Sequence, residues 1–152
     1  MVKNFVYVIG FYGVYIMLRK LLNKTSTQID YMARTIYGEA RGEGTKGMQA
    51  VANVIMNRVS KGGWYGATIK DVVLKPYQFS CWNDNDVNKT VIINASDKQL
   101  STAKNIAQNV VNGNLPDITG GATNYHANNI CPQWSLSMTK TVSIGKHIFY
   151  KE

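Results

Sequence analysis

Two helical hydrophobic patterns meet across a glycine-rich break, and that junction limits what the chain can fold into more than any other feature. Ile29, Met32, Ala33, Ile36 and Ala40 recur at helical spacing, as do Met48, Val51, Ala52, Ile55 and Val59, with Arg41-Gly42-Glu43-Gly44 between them. This spacing predicts two helices, each burying one stripe, that turn sharply on one another. Thr27 with Asp30 reads as the capping box of the first helix, over about residues 28–40. Thr45 caps the second and Gly62-Gly63 stops it.

Glu39 stands three residues after Ile36 and seven after Met32, which turns it toward the buried side of the first helix. A carboxyl group held there, just before a turn, is arranged like a general acid, because desolvation favours the protonated form that must give up a proton. The chain has only three glutamates, Glu39, Glu43 and Glu152. Two of them interleaved with Gly38, Arg41, Gly42 and Gly44 read as a site rather than as a solubilising surface.

Further along, Thr68 with Asp71 opens a short third helix ending before Pro76, and Ser96 with Gln99 opens a fourth that runs to Gly113. Residues 77–95 read as a long polar loop bearing aromatics. From Gly120 the pattern changes to short extended pieces, 122–126 and 142–145 leading to 147–150, which predicts a small antiparallel sheet. The class is α+β, mainly helical.

At 152 residues, the chain is the size of one domain with one core. The net charge is +8, half of it from Lys3, Arg19, Lys20 and Lys24 in a stretch without acids. Such a balance suits a polyanionic surface: a cell wall, an anionic membrane or nucleic acid. No basic run interleaved with aromatics and no helix-turn-helix or zinc-finger spacing is present, so no nucleic-acid partner is expected. Cys81 and Cys131 lie far apart without metal-ligand spacing, and neither a metal nor another cofactor is expected. They read either as one disulfide closing a long loop or as two buried thiols.

Phe5 to Leu18 is an uncharged run of 14 residues followed by Arg19-Lys20 and Leu21-Leu22. A bilayer span needs about 20 residues, which snorkelling of the two cations would approach. No small-x-small cleavage site follows. Residues 1–24 therefore read as a hydrophobic basic leader, joined by polar Lys24 to Gln28 to a catalytic domain over 25–152. Its three readings are a membrane anchor or signal-anchor, an arm that docks on other subunits through residues 5–22, and a plain core helix.

With these pieces placed, Tyr37 to Glu43 (Tyr-Gly-Glu-Ala-Arg-Gly-Glu) and the helix Gly47 to Arg58 closely resemble the cell-wall hydrolase family that includes the spore-cortex lytic enzymes SleB and CwlJ. Gln78-Phe79-Ser80-Cys81-Trp82 looks like the family's loop after the third helix, and Gly121 to His126 like its first core strand. Pro132, Trp134 and Ile144 to Tyr150 look like its C-terminal block. The resemblance spans residues 30–150, and a short chain with such a leader looks like a phage or phage-derived member.

The resemblance implies a lysozyme-like domain that cleaves peptidoglycan glycan strands, with Glu39 as the essential acid and base. It implies action at the cell envelope or from a phage virion. Around that acid, Phe79, Trp82, Tyr125 and Trp134 offer flat faces for sugar rings, and Tyr37, Gln78, Ser80 and Asn124 offer polar contacts. His126 and His147 are further cleft candidates, each weighed against a role in the core. Glu43 reads as a supporting residue, at the helix start or paired with an arginine, and Asp84 and Asp86 as loop acids. Asn53 and Asn57, at i and i+4, offer to brace the motif turn. The competing functions are an N-acetylmuramoyl-L-alanine amidase, a non-catalytic envelope-binding virion component, and a membrane-active basic protein.

Overall fold

The computed structural model describes the backbone of residues 3–152 and the side chains of residues 13–152. Five helices and a three-stranded sheet follow one another: α1 (Lys3–Ala40), α2 (Gly44–Lys61), α3 (Ile69–Val73), α4 (Val87–Asn94), α5 (Asp97–Val111), β1 (Asn124–Ala127), β2 (Thr139–Ile144) and β3 (His147–Lys151). The mainly helical α+β class expected from the sequence is the one observed.

Helix α2 organises the core because it is buried on two sides. Val51 and Ile55 join Met32 and Ile36 of α1, Val72 and Val73 of α3, and Ala103 and Ala107 of α5 in the main cluster. Ala50 and Val54 face the other way, against Ala122 and Phe149 of the sheet segment. Alanines at 50 and 52 keep this helix thin enough to be packed from both directions. Each large aliphatic chain so buried contributes about 1.5–3 kcal/mol.

The sheet has the order β1-β3-β2 and is antiparallel throughout, with Tyr125 opposite Phe149 and Phe149 opposite Val142. Alternation along the strands sorts their side chains between two faces. Tyr125, His147 and Phe149 cluster on the face toward α2, with ring centroids 5.1–6.3 Å apart. His126 and Tyr150 stack on the opposite face, where Trp134 covers them edge-on.

Three sequence expectations are corrected. The polar segment Lys24 to Gln28 does not interrupt the chain: α1 is one unbroken helix. The hydroxyls of Thr25 and Thr27 turn back onto the carbonyls of Leu21 and Asn23, at 3.1 and 2.9 Å, inside the helix instead of capping a new one. Residues 77–95 are not all loop, since α4 lies within them, capped by Asp86 accepting from the Asn88 amide at 2.8 Å. Residues 13–27 are all exposed, so the core-helix reading of the leader does not hold for them. The side chains of residues 5–12, the first part of the uncharged run behind the anchor reading, lie outside the described residues. Among the described residues, no helix is long and apolar enough to cross a membrane.

The caps of α3 and α5 match the sequence. Thr68 accepts from the Asp71 amide, and Ser96 and Gln99 form a reciprocal capping box.

Candidate active site

Glu39 sits on the last turn of α1, half-buried, and both its oxygens are engaged. Oε1 accepts from the backbone N–H of Cys81 at 2.9 Å and, at a longer 3.4 Å, from the Ser80 hydroxyl. Oε2 accepts from the Tyr125 hydroxyl at 3.1 Å. The acid of the first helix is thus met by the loop after α3 and by strand β1.

Local chemistry explains how the loop reaches it. Phe79 and Cys81 are buried and anchor a 3-10 turn, Ser80–Trp82, against α1. A Cβ at Gly38 would come within 2.7 Å of Cys81 Cβ and 2.9 Å of Ile92 Cγ2, so only glycine lets the loop and α4 approach here. One turn earlier, Trp82 Nε1 donates to the Thr35 hydroxyl at 2.9 Å, and that hydroxyl donates to the Tyr31 carbonyl at 2.7 Å. Gly38 and Thr35 fix the turn, and the turn presents the Cys81 amide to Glu39.

Arg41 closes the end of α1. Its guanidinium donates to the Gly38 carbonyl at 3.1 Å and to Asn88 Oδ1 of α4 at 2.8 Å, with the Tyr37 ring 5.5 Å away. It satisfies a carbonyl that the helix leaves without a partner. Tyr37 thus stands beside the motif turn, its ring against the Arg41 guanidinium.

Glu43 is not paired with an arginine and makes no side-chain cap on α2. Its Oε2 accepts from the Lys146 amide at 2.7 Å, tying the turn between β2 and β3 to the start of α2. Gly145 makes room for it, since a Cβ there would lie 2.3 Å from Glu43 Oε2. The asparagines of α2 also brace something other than expected. Asn53 Oδ1 accepts from the Ile118 amide at 3.2 Å, and Asn57 donates to Asp117 and to the Ala122 carbonyl. Both hold the approach to β1, which carries Tyr125. Burial pushes the Asp117 carboxyl up, but hydrogen bonds from Thr119, Asn57 and Gly121 outweigh it and hold Asp117 below its ordinary range.

Burial, and then the neighbouring Glu39, keep the Tyr125 phenol well above its usual range, so it remains an O–H donor. His147 packs edge-on against Tyr125. Burial holds its imidazole below the ordinary value, against the pull of Glu43 and Glu39, and its Nδ1 is buried without a partner. His126 belongs to the other face of the sheet. Its Nε2 lies 3.0 Å from the Tyr150 hydroxyl and its Nδ1 lies 2.9 Å from the Ala127 carbonyl, so both ring nitrogens are engaged within the sheet.

Beside Tyr125 opens a cavity of about 730 Å³, lined among others by Gln78, Asn124, Tyr125 and Trp134. These four were expected from the sequence. Trp64 and Tyr77, also in its wall, were not, although exposed aromatics next to Gly62-Gly63 and Pro76 were a visible signal. Tyr77 adopts φ +63°, uncommon for a residue with a side chain. Phe79 instead belongs to the core, and Trp82 packs partly buried against it. Asp84 pairs with Lys89 on the surface and Asp86 caps α4. Cys81 is buried and Cys131 exposed, both as free thiols, in place of a disulfide or a buried pair. No group of three metal-ligating side chains occurs among the described residues.

Known proteins resemble this chain in sequence and fold. Residues 42–150 match the family model described as Cell Wall Hydrolase. The chain is 33% identical over 128 residues to a spore cortex-lytic enzyme of Bacillus cereus, a match covering 84% of this chain and 45% of that one. With the corresponding enzyme of Halalkalibacterium halodurans, it is 33% identical over 126 residues, covering 82% and 35%. It thus spans less than half the length of these relatives. Among solved structures, the catalytic domain of the Bacillus cereus SleB protein superposes with a TM-score of 0.68 at 33% identity, covering 83% of this chain and 91% of that domain. The catalytic domain of a germination-specific lytic transglycosylase, SleB of Bacillus anthracis, gives 0.62 at 33% identity, covering 82% and 93%.

Proposed function

The chain belongs to the cell wall hydrolase family, and on that premise we propose that it cleaves the glycan strands of peptidoglycan with Glu39 as the single acid and base. The observation that carries this reading is the double engagement of Glu39 by the Cys81 amide and the Tyr125 hydroxyl, beside a cleft walled by aromatic and amide side chains.

In the first step, the Glu39 carboxyl gives its proton to the oxygen joining muramic C1 to the next N-acetylglucosamine. The C1–O bond breaks and positive charge develops at C1 and the ring oxygen. In the second, the carboxylate takes the proton of the muramic C6 hydroxyl while O6 bonds to C1, closing a 1,6-anhydro ring. Water in place of that hydroxyl would give a reducing end and a hydrolase. The intramolecular outcome is favoured by the similarity to a domain described as a lytic transglycosylase.

An amidase reading would use a metal held by histidines. His126 and His147 stand on opposite faces of the sheet, which does not let them share an ion. We place the enzyme's work at the cell envelope, with residues 1–24 holding it to a membrane or a virion. Deleting that segment should release the protein from membranes or particles.

Digestion of purified sacculi followed by mass spectrometry tests the chemistry. Muropeptides with 1,6-anhydro ends are expected, reducing muramic ends would replace the transglycosylase by a muramidase, and free stem peptides would overturn both. Glu39→Gln should lower the rate by about a hundredfold or more at unchanged melting temperature. Unchanged clearing by that variant would remove Glu39 from the chemistry.

A further inference from the structure

The cleft borders on a charge that the proposed reaction does not use. Arg58, on α2, is 4% exposed and lines the cavity beside Tyr125. Its Nε donates to the Thr123 carbonyl at 2.7 Å, and its guanidinium is held between the rings of Tyr65 and Phe79, at 5.3 and 5.0 Å. Nη1 is buried with no partner, and among the described residues no carboxylate forms an ion pair with it. Glu152, in the same cavity wall, is engaged by Lys61 and by the Tyr65 hydroxyl at 2.6 Å.

A buried cation without a counter-ion is costly, and a guanidinium offers a planar fork matched to a carboxylate. Clamping by two rings prevents the side chain from swinging out to water. The same cavity wall contains Tyr125, whose hydroxyl reaches Glu39, so a strand seated there with its anion at Arg58 comes within one side chain of the acid.

We propose that Arg58 is a carboxylate-recognition residue, which seats an acidic group of the muramyl side chain when the glycan strand enters the cleft. This rests on the reading of the site as glycan-cleaving. In the strand, N-acetylglucosamine is neutral, whereas each muramic residue carries a lactyl group. Its carboxylate is free in peptide-stripped strands. In intact strands it is tied up in an amide, and the stem peptide supplies carboxylates of its own. Holding that acid sets the register of an alternating polymer, so that the bond beyond muramic C1 meets Glu39 and the bond beyond glucosamine C1 does not. Trp64 and Tyr77, exposed in the same wall, offer the sugars flat faces.

The test varies the ligand first. Full-length Glu39→Gln protein, which holds strands without cutting them, is titrated by tryptophan fluorescence and calorimetry with soluble peptide-stripped strands, peptide-bearing strands, and each of these after conversion of carboxyls to methylamides. Methylamidation should weaken binding about tenfold or more. The strand type that loses affinity identifies the acid as lactyl or peptidic. Arg58→Lys in the same background should weaken binding of the acidic strand and leave the methylamide unaffected, with melting temperature recorded alongside. Should that variant fail to fold, the ligand series still decides. Equal affinity for acidic and methylamidated strands would overturn the proposal. A wild-type enzyme that cuts strands but shows this equality loses only the Arg58 role. A protein that prefers acidic strands yet cuts none retains the anion site and loses the cleavage reading.

Discussion

The Tyr125 hydroxyl and the Glu39 carboxyl, 86 positions apart in sequence, meet at 3.1 Å. Because the Cys81 N–H at Oε1 can only donate, Oε1 is always an acceptor. The transferable proton therefore belongs on Oε2, where a hydroxyl can donate to the carboxylate and accept from the acid. Tyr125→Phe should keep the fold, since the ring stays packed on Phe149 and His147. Its kcat should fall about tenfold to a hundredfold, the worth of a hydrogen bond to a charged group, while KM changes little. A pH–rate profile that moves along with kcat would separate this role from simple packing.

Glu43 and Gly145 form a second such pair. Gly145→Ala drives a Cβ into Glu43 Oε2 and asks a non-glycine residue to hold φ +58°. The backbone part costs about 1–2 kcal/mol, equivalent to a few degrees in Tm for a chain of this size. Adding Glu43→Ala should relieve the collision but not the backbone strain. The double variant therefore melts higher than the sum of the single losses predicts. Strict additivity would deny the contact.

Gly38→Ala probes how tightly the loop carrying Cys81 is pressed onto α1. The new methyl meets core atoms, Cys81 Cβ and Ile92 Cγ2, that have nowhere to retreat. Overpacking of this kind costs about 1–3 kcal/mol. It should also lower activity more than an equally destabilising substitution in α5 does, because the displaced element carries a donor to Glu39. Equal activity in two such stability-matched variants would show that loop position is unimportant.

Acid should weaken the fold partly through His147. Burial depresses its folded-state pKa below the ordinary 6.5, so on acidification the unfolded chain takes up a proton before the folded one does. The contribution of the neutral imidazole is complete above about pH 6.5 and is lost as pH falls through the lower, folded value. Melting temperature should accordingly be level near neutrality and decline below it, with a shallower decline in His147→Gln. An identical slope in both proteins would assign the acid sensitivity elsewhere.

What could be read from the sequence was local. The caps at Thr68 and Ser96 need only the next three residues, and Glu39 could be placed because helical phase is set within two turns. Its hydrogen bonds could not be placed that way, since Cys81 and Tyr125 arrive through tertiary packing from 42 and 86 positions away; Tyr125 was expected near the acid only as a flat face for sugars, through the family resemblance. Helix α4 was hidden for a related reason. Its Thr90-Val91-Ile92-Ile93 stretch is β-branched and lies between Lys89 and Asn94, and only Ile92 is buried, against Gly38 of another helix. The spacing of Thr27 and Asp30 was misleading as a cap because Asp30 is occupied by Arg34, at 2.8 Å, and by Lys104 of α5, at 3.4 Å.

Helix α1 runs unbroken from the exposed residues 13–27 to the acid. At about 1.5 Å per residue, the stretch from Gly13 to Glu39 is a strut of about 40 Å with no joint in it. Any surface that grips its outer end thereby also sets the height and heading at which the carboxyl meets a strand. Inserting one residue into the exposed stretch would rotate the whole domain about the strut by roughly 100°.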